Sequence, residues 1–188
     1  MDIENVIKVI LNGKRPSYDH GIDISLDAIK LKGGFSTGSA FAKGILCILS
    51  LQNPTSFDND VKVTIDNAWL AQGNSKNYHH FFPKKYMEKH HKDIDATLVN
   101  HIANITIVDS YLNKAVIKAK APHVYMSDFA SLNDNIEQTM ETHLIKYNSS
   151  DDYGIKRDDY LLFFNERIKA FQQQLLSRIV VNPNIDIV

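Results

Sequence analysis

Apolar residues recur three and four positions apart along GSAFAKGILCILSLQNP, where Phe41, Ile45, Ile48 and Leu49 fall on one side of a 3.6-residue turn. Ser39 stands where a hydroxyl can accept a first-turn N–H, and Asn53-Pro54 ends the pattern because proline cannot continue a helix. The spacing predicts a buried helix. Before it, GKRPSYDHGIDIS is polar and turn-rich. After it the period changes. In VKVTID, Val61, Val63 and Ile65 alternate with polar residues, which predicts a short strand. NAWLAQGNS reads as a short turn or helix that Gly73 ends.

From Asn77 to Phe82 the chain is aromatic and β-prone, so it reads as a second short strand. Pro83 then opens a helix, PKKYMEKHHK, at the first-turn position where proline is tolerated. IDATLVNHIAN is read as another short helix and ITIV, Ile105 to Val108, as a strand. Asp109 can cap the helix SYLNKAVIKAK, and Pro122 starts PHVYMSDFASL. Two longer amphipathic helices follow, NDNIEQTMETHLIKY and RDDYLLFFNERIKAFQQQLLSRIVV, on either side of the polar loop NSSDDYG. The expected fold class is α+β and mostly helical, with a strand–loop–strand–helix insert. There is no internal repeat and no low-complexity tract.

Composition narrows the classes. The 188 residues suit one domain, and a 44 % apolar content can fill its core. No apolar run approaches the roughly 20 residues of a membrane span. The start MDIENVIKVILNGKRP lacks the basic and apolar regions of a secretory signal, so a cytoplasmic protein is expected. A single cysteine, Cys47, excludes a disulfide framework and a cysteine-based zinc site within one chain. The net charge of −1 advertises no polyanion partner, but its distribution is uneven. Residues 76–120 carry 8 Lys/Arg against 4 Asp/Glu, whereas residues 121–188 carry 6 against 10. The insert is therefore the basic part of the chain. A local basic patch bears on phosphate contact more than the total does.

The same insert holds the candidate chemistry. His79 and His80 lie side by side at the end of one strand, Asn104 opens the next strand 24 residues after His80, and Asn113 follows nine residues on. This ordered set resembles the His-Asn-His (HNH, ββα-metal) nuclease motif. The blocks FSTGSAFAKGILCIL, NYHHFFPK, HIANITIV, LNKAVIKAKAPHVY and THLI, in that order, resemble the carboxy-terminal region of the GmrSD-type restriction endonuclease family. The resemblance runs from Phe35 to the last helix. It implies an amino-terminal segment over residues 1–34 and an HNH nuclease domain over 35–188, with the ββα-metal core at about 76–120 and a helical part at 121–188.

What the resemblance implies for single residues is specific. His80 is the general base, His79 and Asn113 are the metal ligands, and Asn104 ties the loop between the strands and helps to orient the base. Lys118 and Lys120, with Lys84, are candidates to hold the substrate phosphate. The implied cofactor is a divalent metal, Mg²⁺ or Mn²⁺, and the partner is DNA, in a modification-dependent restriction or anti-phage system. Many relatives of the motif carry a carboxylate where this chain has His79, which widens the metal choice toward Zn²⁺ or Ni²⁺. The long members of the family also carry a nucleotide-dependent regulatory domain that nothing in residues 1–75 resembles: LKGGFSTGS lacks the lysine of a phosphate-binding loop. A double-strand break would need two copies, as in a homodimer, or two events.

Hydrolysis of a phosphodiester needs an activated water, a cation on the developing charge and a stabilised leaving oxygen, and imidazole near neutrality suits the first task. One geometric condition attaches. Neighbours on a regular strand point to opposite faces, so both histidines reach one site only if the strand ends or bulges at HHFFP. Read singly, each residue has a plainer meaning. Lys84 and Lys85 are a solvated helix face, His90-His91 face solvent, His101 has at most a supporting role, and His123 and His143 are structural. Tyr78, Phe81, Phe82 and Trp69 are core. The alternative reading of the whole chain is a non-catalytic nucleic-acid-binding or assembly module that keeps the HNH fold.

Overall fold

The structure, a computed structural model, describes residues 2–13, 22–36, 38–65, 78–108 and 112–178; the side chains of residues 2, 5, 6 and 113–115 are not described. Three helices come first: α1 at Asp2–Asn12, α2 at Leu26–Lys32 and α3 at Ala40–Leu51. The hydroxyls of Ser25 and Ser39 accept the Ala28 and Ala42 N–H groups, each at 3.2 Å, and so cap α2 and α3. Helix α3 buries Ile45, Ile48 and Leu49 of the stripe its spacing predicts, with Ala42 and Leu46 beside them and Phe41 half-buried, and the chain leaves it through Asn53 at φ 54°.

Among the described residues the sheet has two strands. β1, Tyr78–His80, pairs antiparallel with β2, Ile105–Ile107, in the register Tyr78–Ile107, His79–Thr106 and His80–Ile105. Between them lie α4 (Lys84–His90), α5 (Ala96–Val99) and a 3₁₀ turn, Ile102–Asn104. After β2 the segment Leu112–Ile117 is π-helical, followed by α6 (Pro122–Ala130), α7 (Ile136–Glu141) and α8 (Tyr160–Leu176). The described fold is mixed α/β, about half helical, with one small sheet. No helix among the described residues is long and apolar enough to cross a membrane.

The core is built against α8. Phe81 and Phe82 are both fully buried. Phe81 stacks on Phe163 at 4.8 Å, and Phe82 meets Tyr160 edge-on at 5.1 Å. Each such side chain contributes roughly 1.5–3 kcal/mol relative to exposure. Arg167 of α8 is also fully buried. It donates to the Ile105 carbonyl at 3.0 Å and lies over the Phe171 ring, so it supports β2 from beneath. Helix α2 packs on α8, and the segment after α2 joins the loop between the strands. The Ile102 N–H donates to Gly33 O at 2.7 Å, and Phe35 N–H to Asn100 O at 2.8 Å.

Several elements differ from their sequence patterns. Val61 to Ile65 is not a strand: the run only closes a tight loop, with Ser56 N–H on Val61 O and Val63 N–H on Pro54 O, and Val61 is exposed. Alternation makes a strand only where a partner strand is available. The first long amphipathic helix, NDNIEQTMETHLIKY, is only α7. Ile145 N–H turns back to Met140 O, Leu144 takes φ 56°, and His143 donates to Thr55 O at 2.8 Å. Tertiary bonding and a left-handed residue end the helix there. The expected helix SYLNKAVIKAK is π-helical over Leu112–Ile117 and turns at Lys118, and its proposed cap, Asp109, lies outside the described residues, as do Trp69, Asn77 and the segment NAWLAQGNS.

His101 is 2 % exposed, and both ring nitrogens are used: Nδ1 accepts from Ala103 N–H at 3.0 Å and Nε2 donates to Lys30 O at 3.2 Å. A Cβ added at Gly33 would lie 1.9 Å from that Nε2, whereas one at Gly34 would meet nothing within 4 Å. Gly33→Ala is therefore expected to destabilise the fold by about 1–3 kcal/mol through overpacking. Gly34→Ala is expected to change little. Urea unfolding of the two variants checks this, and equal stabilities would contradict it.

Burial pushes His101 and His143 down to about 4, against backbone hydrogen bonds that pull upward. The unfolded chain then binds protons first as pH falls through the ordinary histidine value of 6.5. Stability is present above that value and is lost toward pH 4, at up to about 1.4 kcal/mol per pH unit for each histidine. Unfolding curves across this window should show the loss, and His143→Gln should shallow the slope. A stability that does not change between pH 7 and 5 would contradict the assignment.

Candidate active site

The ladder ends at His80, and the reason is local. Pro83 has no N–H to donate and opens α4, while Phe81 and Phe82 turn into the core. Asn104 takes over where pairing stops. Its backbone carbonyl accepts Phe81 N–H at 2.8 Å and its side-chain oxygen accepts Phe82 N–H at 2.8 Å. Its amide nitrogen donates to Phe82 O at 3.0 Å and to Val99 O at 2.9 Å. Asn104 is fully buried, and one side chain thus ties the start of the loop between the strands to its end. Tyr125 of α6 adds a hydroxyl bond to Phe81 O.

The two histidines leave β1 on opposite faces, as a regular strand requires. His79 is 2 % exposed, with its ring 6.0 Å from that of Tyr125. His80 shares the other face with Tyr78, and both rings meet Phe35 edge-on. His80 Nε2 lies 3.2 Å from Asn100 Oδ1, and Asn100 Nδ2 donates to Phe35 O at 3.1 Å. Burial pushes the His80 imidazole down to about 4, the Asn100 bond opposes that, and the Lys84 charge adds to it. The ring is therefore neutral in the neutral range and has a nitrogen able to accept a proton.

Both histidines border one cavity of about 240 Å³ at the end of β1, together with Tyr78 and the lysines 84, 85 and 118. Pro83 completes its wall, which among the described residues contains no carboxylate. The lining thus sets three lysines beside two imidazoles, a locally cationic wall. Lys118 reaches it from the turn after the π-helical segment, at φ 54°. Lys120 does not border the cavity: its Nζ is 2.9 Å from Asp128 Oδ2. Lys85 does border it, although the sequence gives it no mark beyond its neighbour Lys84. Asn100 reads as a turn residue before His101, and nothing in the spacing points to its bond with His80.

A divalent cation is the group the resemblance implies. Among the described residues no three His, Cys, Asp or Glu side chains cluster to hold one. His79 borders the cavity, and the segment that carries Asn113 runs into Lys118, which borders it as well; the Asn113 side chain is outside the described residues. Of the two implied ligands only the His79 imidazole is described at the cavity, and an imidazole is a ligand type that Mn²⁺, Zn²⁺ and Ni²⁺ accept. No protein-family model, curated protein or solved structure matches the chain.

The clamp has a direct test. Asn104→Ala leaves Phe82 N–H and the Phe82 and Val99 carbonyls without this partner, at about 1–3 kcal/mol for each group that stays unsatisfied. A loss of about 2–4 kcal/mol is expected in chemical unfolding. Asn104→Asp, which keeps the acceptor and loses the donors, should also be destabilised. A near-neutral Asn104→Ala would show that the loop is held by other bonds.

Proposed function

We propose that this chain is a metal-dependent HNH endonuclease domain that hydrolyses DNA phosphodiesters within a restriction or anti-phage defence system. One observation carries the reading: a strand ending in His79-His80 and a second strand opened by Asn104 enclose a clamped loop. The strand end borders a cavity that also receives Lys84, Lys85 and Lys118. A negatively charged, phosphate-sized substrate is what this surface favours. Asn104 fixes the backbone on which His80 sits. His80, neutral and partly buried, takes a proton from the attacking water. Lys84, Lys85 and Lys118 hold the non-bridging oxygens and their charge. His79 and Asn113 would hold the divalent cation, which supplies Lewis-acid stabilisation of the developing charge and of the leaving oxygen. Lys120, paired with Asp128, is left out of this assignment.

A second reading is favoured by a specific observation: His79 is 2 % exposed and the cavity wall is cationic. In that reading the cavity grips phosphate in a non-catalytic module.

Supercoiled plasmid nicking separates the two. With Mg²⁺ or Mn²⁺ the wild type is expected to nick plasmid DNA, His80→Ala to fall by about 10²–10⁴-fold, and chelation to abolish the activity. Lys118→Ala should weaken binding and make it less dependent on salt. Equal nicking by wild type and His80→Ala would remove His80 from the chemistry. Salt-dependent DNA binding with no nicking in any divalent metal would establish the second reading.

A further inference from the structure

The orientation of one amide fixes the protonation pattern of one ring. Asn100 is the residue after α5, and its backbone is held on both sides: its N–H donates to Ala96 O at 3.0 Å, and its carbonyl accepts Phe35 N–H at 2.8 Å. Its side-chain nitrogen donates to Phe35 O at 3.1 Å. A carbonyl only accepts, so the atom facing Phe35 O must be the NH₂ group. The atom facing His80 Nε2 at 3.2 Å is then the amide oxygen, which also only accepts. Nε2 must therefore carry the proton. In a neutral imidazole the other nitrogen, Nδ1, is then bare and basic.

We propose that Asn100, locked by Phe35, is a positioning residue that holds His80 as its Nε2–H tautomer and leaves Nδ1 as the proton-accepting nitrogen. The segment after α2 thereby takes part in the site. Phe35 meets His80 edge-on, with ring centroids 6.3 Å apart, and its carbonyl holds the Asn100 amide that faces His80. The Gly33–Phe35 segment, bonded to Asn100 and Ile102, thereby sets which nitrogen of the base is available. The arrangement also limits ring rotation. A 180° flip of the His80 ring would break the Asn100 bond, and a flip of the amide would set its NH₂ group against an N–H and its oxygen against the Phe35 carbonyl. The catalytic meaning of this lock rests on the nuclease reading; the tautomer itself does not.

The test reads the ring directly. Long-range ¹H–¹⁵N correlation of the metal-free, ¹⁵N-labelled protein at neutral pH distinguishes a protonated from a bare imidazole nitrogen, and loss of the signals in His80→Gln assigns them. The wild type is expected to show the proton on Nε2. Asn100→Asp keeps an acceptor and should keep that tautomer, whereas Asn100→Ala should lose it. A wild-type His80 with its proton on Nδ1 would overturn the proposal without recourse to any variant, as would an Asn100→Ala spectrum unchanged at His80. Plasmid nicking then reads the consequence: Asn100→Ala is expected to lose about 10–100-fold and Asn100→Asp to recover part of it. An expected tautomer in a wild type that nicks no DNA would uphold the lock and remove the nuclease reading. The opposite pair of results would do the reverse.

Discussion

A single buried amide joins the two halves of the insert. Asn104 receives Phe81 N–H on its main-chain carbonyl and bonds both backbone groups of Phe82, and its side chain also reaches Val99 O. A strand that ends in the middle of a protein leaves buried donors and acceptors behind it. Each would cost about 1–3 kcal/mol if left unmade. Asn104 supplies partners for them at the point where Pro83 forbids further pairing. The chain can therefore turn Phe81 and Phe82 into the core directly after His80, and the strand end can border a cavity. Helix α4, with Lys84 and Lys85 in its first turn, starts in a fixed place for the same reason.

The rest of the core serves this corner. Phe163 and Tyr160 of α8 receive the two phenylalanines, Arg167 supports β2 through Ile105 O, and Tyr125 of α6 bonds Phe81 O. The histidines divide by what they meet. His101 and His143 are neutral and bonded in the interior, where burial holds them well below their ordinary value. His80 is shifted the same way but stands at a cavity wall beside lysines. That difference in access, rather than the shift itself, makes His80 the candidate base.

Much of this corner was legible in the sequence, through signals that act locally. Ser39 announced α3, Pro83 announced α4, and the β-branched run at Ile105 announced β2, because caps, proline and branched side chains act within a few residues. The aromatic pair after His80 read as core and is core. What stayed hidden depends on groups far apart in the chain. Asn100 meets His80 across 20 residues and Phe35 across 65. Lys120 looked equivalent to Lys118 until Asp128 claimed it. The alternation at Val61 predicts a strand, but among the described residues the run makes only an isolated bridge, Lys62 to Thr55. The expected irregularity at HHFFP is a strand end: pairing runs to His80 and stops, with the two rings on opposite faces of the last rungs.

In the proposed reading, phosphate and a divalent cation meet at the end of β1. Anomalous diffraction from crystals grown with Mn²⁺ and a short DNA duplex tests it most directly. A manganese peak is expected at the cavity, in coordination contact with His79, with a DNA phosphate against Lys84, Lys85 or Lys118. Manganese bound only elsewhere on the protein, with the DNA backbone held away from His79 and His80, would contradict it.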